Sequence, residues 1–292
     1  MPTLSETHPA VAVIYFFAVA GIAMFTLNPI LLSLSLFGAL LFFLLQNGRG
    51  YAKTHLLFFG VFACTVLLNP LFSHSGETVW LVINHKPITK EAFLYGVTVA
   101  TSVLAVLYWS RSFSQIMTSD KLLCVCAFLS PRLALLLSMS LRYLPLLGKK
   151  AREVRDAQRG VGLYRDDSLF HAAKGGARVW SGLLTWTLEN GIVTADSMAA
   201  RGYGERRRTL FPRYRFRRAD LFLLLLTVAF TVPVLTVFVQ GSLTCEFYPR
   251  LILAQPSWQA LVGYACYGAL AVMPAILEIK EAVRWSYLKS KI

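Results

Sequence analysis

The chain has 292 residues, of which 56% are hydrophobic and 15% are charged, and its mean hydropathy is +0.56. A water-soluble domain rarely carries so few charged residues, so these values indicate an integral membrane protein. The formal net charge of +14 would suit nucleic-acid binding in a soluble protein. No nucleic-acid recognition motif accompanies the charge, and we expect no nucleic-acid partner.

Apolar runs suited to transmembrane helices occur six times along the chain. Asn28-Pro29 separates the first two, which favours two helices joined by a tight turn over one long rod. The runs span residues 11–27, 30–45, 56–72, 92–109, 221–239 and 258–277. The predicted fold is therefore all-α, with about six transmembrane helices and additional helices on the cytoplasmic side.

The basic residues indicate how these helices are oriented, because Lys and Arg accumulate on the cytoplasmic side. If both termini are cytoplasmic, 26 of the 29 basic residues lie inside, and the other three, Lys86, Lys90 and Arg250, lie outside. We expect three parts: N-terminal transmembrane helices in 1–111, a basic cytoplasmic coupling-helix region in 112–218, and C-terminal transmembrane helices in 219–292. The basic clusters just before residue 219 suit anionic lipid headgroups of the membrane.

The segment 122–147 is apolar enough to span the membrane, yet Pro131, Arg142 and Pro145 interrupt it. A crossing here would invert the charge bias of the short loops that follow. We therefore predict a bent helix that lies along or dips into the inner membrane surface, with a seventh span as the alternative.

Residues 176–200 show the apolar period of an amphipathic helix. Gly202 and Gly204 follow as expected stop signals, because glycine readily adopts the left-handed conformation that ends a helix. The face of this helix that we predict to be apolar consists of Trp180, Leu184, Leu188, Ile192, Ala195 and Met198.

The sequence contains no motif that indicates catalysis or cofactor binding. There is no phosphate-binding G-x-x-x-x-G-K-[ST] loop, the five histidines lack metal-ligand spacing, and four of the five cysteines lie in apolar runs. The predicted spans contain few polar groups beyond threonines that can bond to the preceding helical turn, namely Thr65, Thr98, Thr101, Thr227 and Thr231. We expect a non-catalytic protein without a cofactor.

The most informative motif is Ala200-Arg201-Gly202 at the end of the amphipathic helix. It resembles the Ala-Arg-Gly coupling motif of the transmembrane (T) component of energy-coupling factor (ECF) transporters, which are ABC importers of vitamins and metal ions. Further segments resemble that family along nearly the whole chain: His8-Pro9, Asn28-Pro29, residues 88–91, Leu141-Arg142-Tyr143-Leu144-Pro145 and Asp156-Ala157-Gln158-Arg159.

The first coupling motif departs from the family pattern. Family members read Ala-Gln-x-Ala-Arg-Gly, whereas this chain reads Ala-Gln-Arg-Gly-Val-Gly over residues 157–162. In that register Val161 takes the place of the arginine. Either the first coupling arginine is missing, or Arg159, followed by Gly160, replaces it two positions earlier.

The resemblance implies a prokaryotic cell-membrane protein that transduces energy to a separate substrate-binding (S) subunit. Two ABC ATPase subunits would bind ATP and Mg²⁺ and contact the two coupling motifs. Contact with the S subunit is expected at Leu136, Met139 and Arg142. The alternative is an ordinary ABC importer permease that forms the substrate pathway itself, since such a permease also docks a coupling helix on an ATPase.

Overall fold

The computed structural model describes residues 4, 6–47, 51–72, 76, 78–83, 86–162, 169–204, 214, 216–245, 247 and 257–289. In chain order, these ranges contain α1 (Pro9–Phe25), α2 (Pro29–Asn47), α3 (Ala52–Phe72), β1 (Val79–Ile83), β2 (Lys86–Thr89), α4 (Lys90–Ile116), α5 (Ser119–Leu129), α6 (Pro131–Gly160), α7 (Leu169–Ala200), α8 (Arg218–Val239) and α9 (Trp258–Lys289). They form two compact units. One comprises residues 1–122 and 214–292, and the other comprises residues 123–213.

The helices of the first unit confirm the prediction of an all-α membrane protein. Five of them, α2, α3, α4, α8 and α9, are long and apolar enough to cross a membrane. The apolar helix α1, with 17 residues, is slightly shorter. These six helices coincide with the six predicted runs, and the break between α1 and α2 falls at Asn28.

A small β-hairpin between α3 and α4 was not predicted. Strands β1 and β2 pair antiparallel, with Ile83 opposite Lys86 and Val79 opposite Thr89. The sequence of β1, Val-Trp-Leu-Val-Ile, is rich in residues that favour extended backbone. The sequence analysis assigned no strand to residues 73–90, which lie between the third and fourth apolar runs.

The helices of the first unit pack through small residues. Helix α2 packs against α4 and α9, and α8 packs against α9. A Cβ atom built on Gly38 of α2 would lie 2.6 Å from the backbone oxygen of Ala271 in α9. Only glycine fits at that contact, so it fixes how closely the two helices approach each other.

A hydroxyl and indole cluster lies inside this helix bundle, where the sequence suggested little polarity. Ser35 accepts hydrogen bonds from the Tyr267 hydroxyl at 2.9 Å and from the Trp109 indole N–H at 3.2 Å. Tyr15 donates to the Leu270 carbonyl at 2.9 Å. All four side chains are fully buried. The sequence does not predict these hydrogen bonds of the Tyr and Trp side chains, because the bonding partners are distant in sequence.

The threonines of the spans behave as predicted. Thr65, Thr98 and Thr101 each donate a hydrogen bond to the carbonyl four residues earlier, at 2.8–2.9 Å. Thr227 and Thr231 do the same, at 2.9 and 2.7 Å. Their hydroxyls are satisfied within their own helices and do not mark a polar path.

Two carboxylates are buried where helices of the first unit begin. Glu91, in the first turn of α4, accepts hydrogen bonds from the hydroxyl and the backbone N–H of Thr78. Asp220, in the first turn of α8, accepts from the backbone N–H of Arg217 at 2.9 Å and of His8 at 3.2 Å. Asp220 therefore ties the start of α1 to the start of α8.

The prediction of one bent helix between 122 and 147 is wrong, because two helices occupy this segment. Helix α5 ends at Leu129 and α6 begins at Pro131. Ser130 between them is extended, with φ −155° and ψ 119°, since a following proline disfavours the helical region. Helix α6 then continues through Pro145 to Gly160. Its placement along the inner membrane surface stays a prediction.

Candidate functional site

Helices α6 and α7 form an antiparallel hairpin in the second unit. The Tyr143 hydroxyl lies 2.8 Å from the Thr194 hydroxyl. Further along, the Val154 side chain lies 3.8 Å from where a Cβ would stand on Gly182. As the residue number rises along α6, its partner's number falls along α7, which defines the antiparallel arrangement.

The second coupling motif forms the C-terminal cap of α7. The backbone N–H of Tyr203 donates to the Met198 carbonyl at 3.0 Å, and that of Gly202 donates to the Ala199 carbonyl at 2.9 Å. Gly202 has φ 75°. These two bonds around a left-handed glycine are the Schellman motif, which places Ala200 last in the helix and Arg201 at the C-cap.

The cap explains the residue types of the motif. A residue with a Cβ is strained at the positive φ of Gly202. Arg201 is exposed, and its side chain has no hydrogen-bond or ion-pair partner among the described residues. Its cation lies beside the negative end of the α7 dipole, so part of its role is to stabilise the helix end. The guanidinium remains accessible to a carboxylate on another protein.

The first coupling motif forms a matching end on α6. Gly162 has φ 72°, and its backbone N–H donates to the Arg159 carbonyl at 3.0 Å. Gly160 is the last helical residue and Val161 is the C-cap. Gly162 therefore matches Gly202, and Val161 matches Arg201. Arg159 occupies the position that Ala199 has in α7, so the geometry supports the register without an arginine at the cap.

The two coupling motifs lie far apart along the hairpin. The pairs 154/182 and 143/194 imply that Gly160 lies opposite a position near 177. Ala200 is about 23 residues further along α7, which corresponds to about 35 Å at 1.5 Å per residue. The two coupling motifs therefore form two separate sites, one at the C-terminal end of each helix.

A groove between the helices braces the end of α7. It has a volume of about 310 Å³, and its walls include Leu135 and Met139 from α6 with Met198 and Tyr203 from α7. Met139 is half-buried here, whereas Leu136 and Arg142 on the same helix are exposed. Of the three residues predicted to contact an S subunit, Met139 thus packs within the hairpin and the other two face outward.

The comparison with known protein families decides the identity of this architecture. The family model described as CbiQ, cobalt transport protein, matches residues 3–211. The chain belongs to this family, the T components of ECF transporters. No curated protein matches the chain.

The matched region of this T component includes α1 to α7 and therefore both helix ends of the hairpin. It ends before α8 and α9, which complete the first unit. Family membership together with the long apolar helices makes the chain a multi-pass membrane protein and the membrane component of a transport complex.

Most of the apolar face predicted for α7 is exposed in this T component, whereas its last two residues, Ala195 and Met198, line the groove toward α6. Trp180, Leu184, Leu188 and Ile192 expose 49–69% of their surface. The side facing α6 is instead marked by Gly182 and Thr194. The period of the sequence identified an apolar stripe, but it did not identify the polar contact between Tyr143 and Thr194 that joins the helices.

Thiols and carboxylates do not converge in the described part of the T component. No group of three or more His, Cys, Asp or Glu side chains there is placed to share a metal ion. Cys124 and Cys126 of α5 are free thiols. Burial raises the pKa of the Cys124 thiol above its ordinary value, which keeps it protonated at neutral pH.

Proposed function

We propose that this T component is the energy transducer of an ECF-type importer. It would pass the movement of two partner ATPase subunits to a separate S subunit in the membrane. The observation that carries the proposal is the end of α7, where a Schellman cap presents an exposed arginine on a helix braced by its antiparallel neighbour.

The chemistry of Arg201 suits a groove on an ATPase subunit that contains a carboxylate. A guanidinium can donate two parallel hydrogen bonds to one carboxylate, which fixes its direction as well as its distance. Ala200 and Gly202 beside it carry the smallest side chains, so the backbone can approach the partner closely. The 160–162 end of α6 would contact the second ATPase, about 35 Å away along the hairpin.

The exposed apolar surface of α6 and α7 supports contact with an S subunit. Leu133, Leu136 and Leu144 of α6 expose 48–62% of their surface, and Trp180 and Leu188 of α7 expose 65% and 69%. Apolar surface of this extent on two neighbouring helices is unfavourable in water and marks a contact surface. Exposed Arg142 lies close to it on α6. Movement of the hairpin would thereby reach the S subunit.

The substrate in this account binds to the S subunit. The description of the family names cobalt, which makes a cobalt ion the first candidate, with another metal ion or a vitamin as the alternatives. The partner ATPases would bind ATP and Mg²⁺, and the T component itself would hold no cofactor and catalyse no reaction. The complex would lie in a prokaryotic cell membrane, with both termini of this chain and the α6–α7 hairpin on the cytoplasmic side.

The competing function is that of an ordinary ABC importer permease. A permease of that class forms the substrate pathway without a separate substrate-binding membrane subunit, and as a dimer it would be present in two copies per ATPase pair. A T component is present once per pair and copurifies with a different membrane protein that binds the substrate.

Isolation of the complex from native membranes separates the two functions. Native mass spectrometry should give one copy of this chain, two ATPase units and one further membrane subunit. ATP-driven uptake in proteoliposomes should require that further subunit. Two copies of this chain, with uptake in the absence of any other membrane subunit, would establish the permease instead.

A further inference from the structure

We propose that a groove between α8 and α9 binds one anionic phospholipid, from the membrane leaflet in which α8 begins and α9 ends. One acyl chain of the lipid lies in the groove, and its phosphate lies against basic side chains at these two helix ends. The site belongs to the first unit and does not depend on the energy-transducing role proposed for the hairpin.

The groove is apolar and large enough for a hydrocarbon chain. Its volume is about 520 Å³, within the roughly 300–1,000 Å³ of small-molecule sites, and every residue that lines it is apolar. Buried Leu223 and Met273 form its floor, and exposed Phe222 and Ile276 form its rim. Both helices are long and apolar enough to span the membrane, so the rim lies at the depth of lipid hydrocarbon.

The groove has the length of one leaflet. Along α8 it extends from Ala219 to Phe230, which is about 17 Å at 1.5 Å per residue. Half of the hydrocarbon core of a bilayer is about 15 Å. Beyond the groove the two helices touch, since a Cβ atom built on Gly263 would lie 3.5 Å from the Val237 side chain. An acyl chain ends in mid-membrane as this groove does, whereas a transmembrane helix of another subunit would need a surface along the whole span.

Basic side chains continue both walls of the groove past its apolar end. On α9, Lys280 follows Ile276 by four residues and Arg284 follows four later, so all three share one face. On α8, Arg218 precedes Phe222 by four residues. The three cations are exposed and have no ion-pair partner among the described residues. Lys280 is about 5 Å beyond the last groove residue of α9, within reach of a phosphate attached to a chain in the groove.

The acidic side chains nearby do not cancel this charge. Glu281 adjoins the cations on α9, and three positive charges outweigh its single negative charge. Glu278 lies about 200° around the helix from Ile276 and so points away from the groove. Asp220 at the start of α8 is buried, and two backbone N–H groups already bind its carboxylate. A phosphate at this end of the groove therefore meets a net positive surface.

Aromatic side chains mark the headgroup level at the same end. Trp285 and Tyr287 follow on α9, and both are exposed. Such rings concentrate at the boundary between membrane and water. The cations and the rings thus lie at the depth expected for the phosphate of a lipid whose chain fills the groove.

A photo-reactive lipid tests the site in the full-length protein, purified with its partners and placed in vesicles. The probe is phosphatidylglycerol with a diazirine in the middle of one acyl chain. We expect it to label residues 219–230 and 268–277. Ala269→Phe fills the groove and should reduce this labelling several-fold, while Ala265→Phe, the same change at an exposed position one turn outside the groove, should not. Equal labelling of Ala269→Phe and wild type would overturn the proposal.

Phosphatidylcholine with the same photo-reactive chain tests recognition of the headgroup. It should label the groove less than phosphatidylglycerol does. Lys280→Gln should weaken labelling by phosphatidylglycerol about five-fold, the contribution of one cation near an anionic lipid. Lys53→Gln, at an exposed position near the start of α3, should leave the labelling unchanged. Equal labelling by the two lipids in the wild-type protein would overturn the anionic site.

A photo-reactive phenylalanine at Phe222 tests whether a protein occupies the groove instead. We expect no cross-link from this position to another subunit. Capture of a membrane subunit there would assign the groove to that subunit and overturn the proposal. None of these readouts involves uptake or ATPase retention, so failure of the lipid site and failure of the proposed function are distinct results.

Discussion

The Tyr143 hydroxyl donates a hydrogen bond to the Thr194 hydroxyl, 2.8 Å away across the α6–α7 hairpin. The direction follows from Thr194, whose single hydroxyl proton goes to the Asn190 carbonyl at 2.7 Å. This polar contact lies beside the groove that braces the α7 end, so it connects the helix that carries Arg201 to its neighbour.

Tyr143→Phe should loosen this end of the hairpin. The variant removes one neutral hydrogen bond, worth about 1 kcal/mol, and leaves the bond from Thr194 to Asn190 intact. Hydrogen exchange of the 190–203 segment in the purified protein should become several-fold faster. Ser140→Ala is the matched control, since among the described residues Ser140 donates only to the Leu136 carbonyl of its own helix. Equal exchange in Tyr143→Phe and wild type would contradict the bracing role.

Gly202→Ala should destabilise the α7 cap by about 1–2 kcal/mol, because alanine is strained at a φ of 75°. Faster exchange of the Tyr203 amide, which donates to the Met198 carbonyl, is the measurement. Gly176→Ala is the control: this position is inside α7 with open space around it, so alanine should be tolerated or stabilise the helix. A cap as stable in Gly202→Ala as in wild type would show that the glycine serves another purpose.

The sequence predicted those features that depend on local chemistry. The six apolar runs, the break at Asn28, the threonine bonds and the glycine stop after Ala200 all follow from residues close together in the chain. It did not predict the hydrogen bonds to Ser35, because the partners Tyr267 and Trp109 are brought together only by packing.

At the candidate site, the sequence did not predict which face of α7 contacts α6. The period of α7 identified its apolar stripe, yet only the helix pairing shows that Gly182 and Thr194 face α6 and that Trp180 faces outward. From sequence alone, either Val161 or Arg159 could be aligned with the arginine of the first motif. The left-handed φ of Gly162 is what aligns Val161 with Arg201.

The orientation in the membrane can be tested with single cysteines in a cysteine-free version. Ser75 and Ser168 lie in segments predicted to face outward and inward, respectively, and both lie outside the described residues. Thr244 after α8 and Ser181 on α7 are exposed alternatives. An impermeant maleimide should label Thr244→Cys in intact cells and Ser181→Cys only after permeabilisation. Labelling of both in intact cells would contradict a cytoplasmic hairpin.

Leu136→Asp should weaken retention of the S subunit by about 2 kcal/mol, since it places a charge in a contact surface that we expect to be apolar. Met139→Asp is less informative, because Met139 lines the groove between α6 and α7. Ser138→Asp adds the same charge on another face of α6 and should leave retention unchanged. Full S-subunit stoichiometry in Leu136→Asp would rule out this surface.

Arg201→Ala tests the transducer role most directly, with ATP-driven uptake in proteoliposomes and ATPase copurification measured on the same preparations. We expect uptake and ATPase retention to fall together, because truncating one partner of a buried charged pair weakens the binding free energy by about 2–5 kcal/mol. Arg201→Lys should recover only part of both, because lysine cannot donate the paired bonds. Arg159→Ala should be milder, and Lys149→Ala, at an exposed position in the middle of α6, should have no effect. Normal uptake by Arg201→Ala, with its ATPases still bound, would contradict the account and leave Arg201 as a helix cap alone.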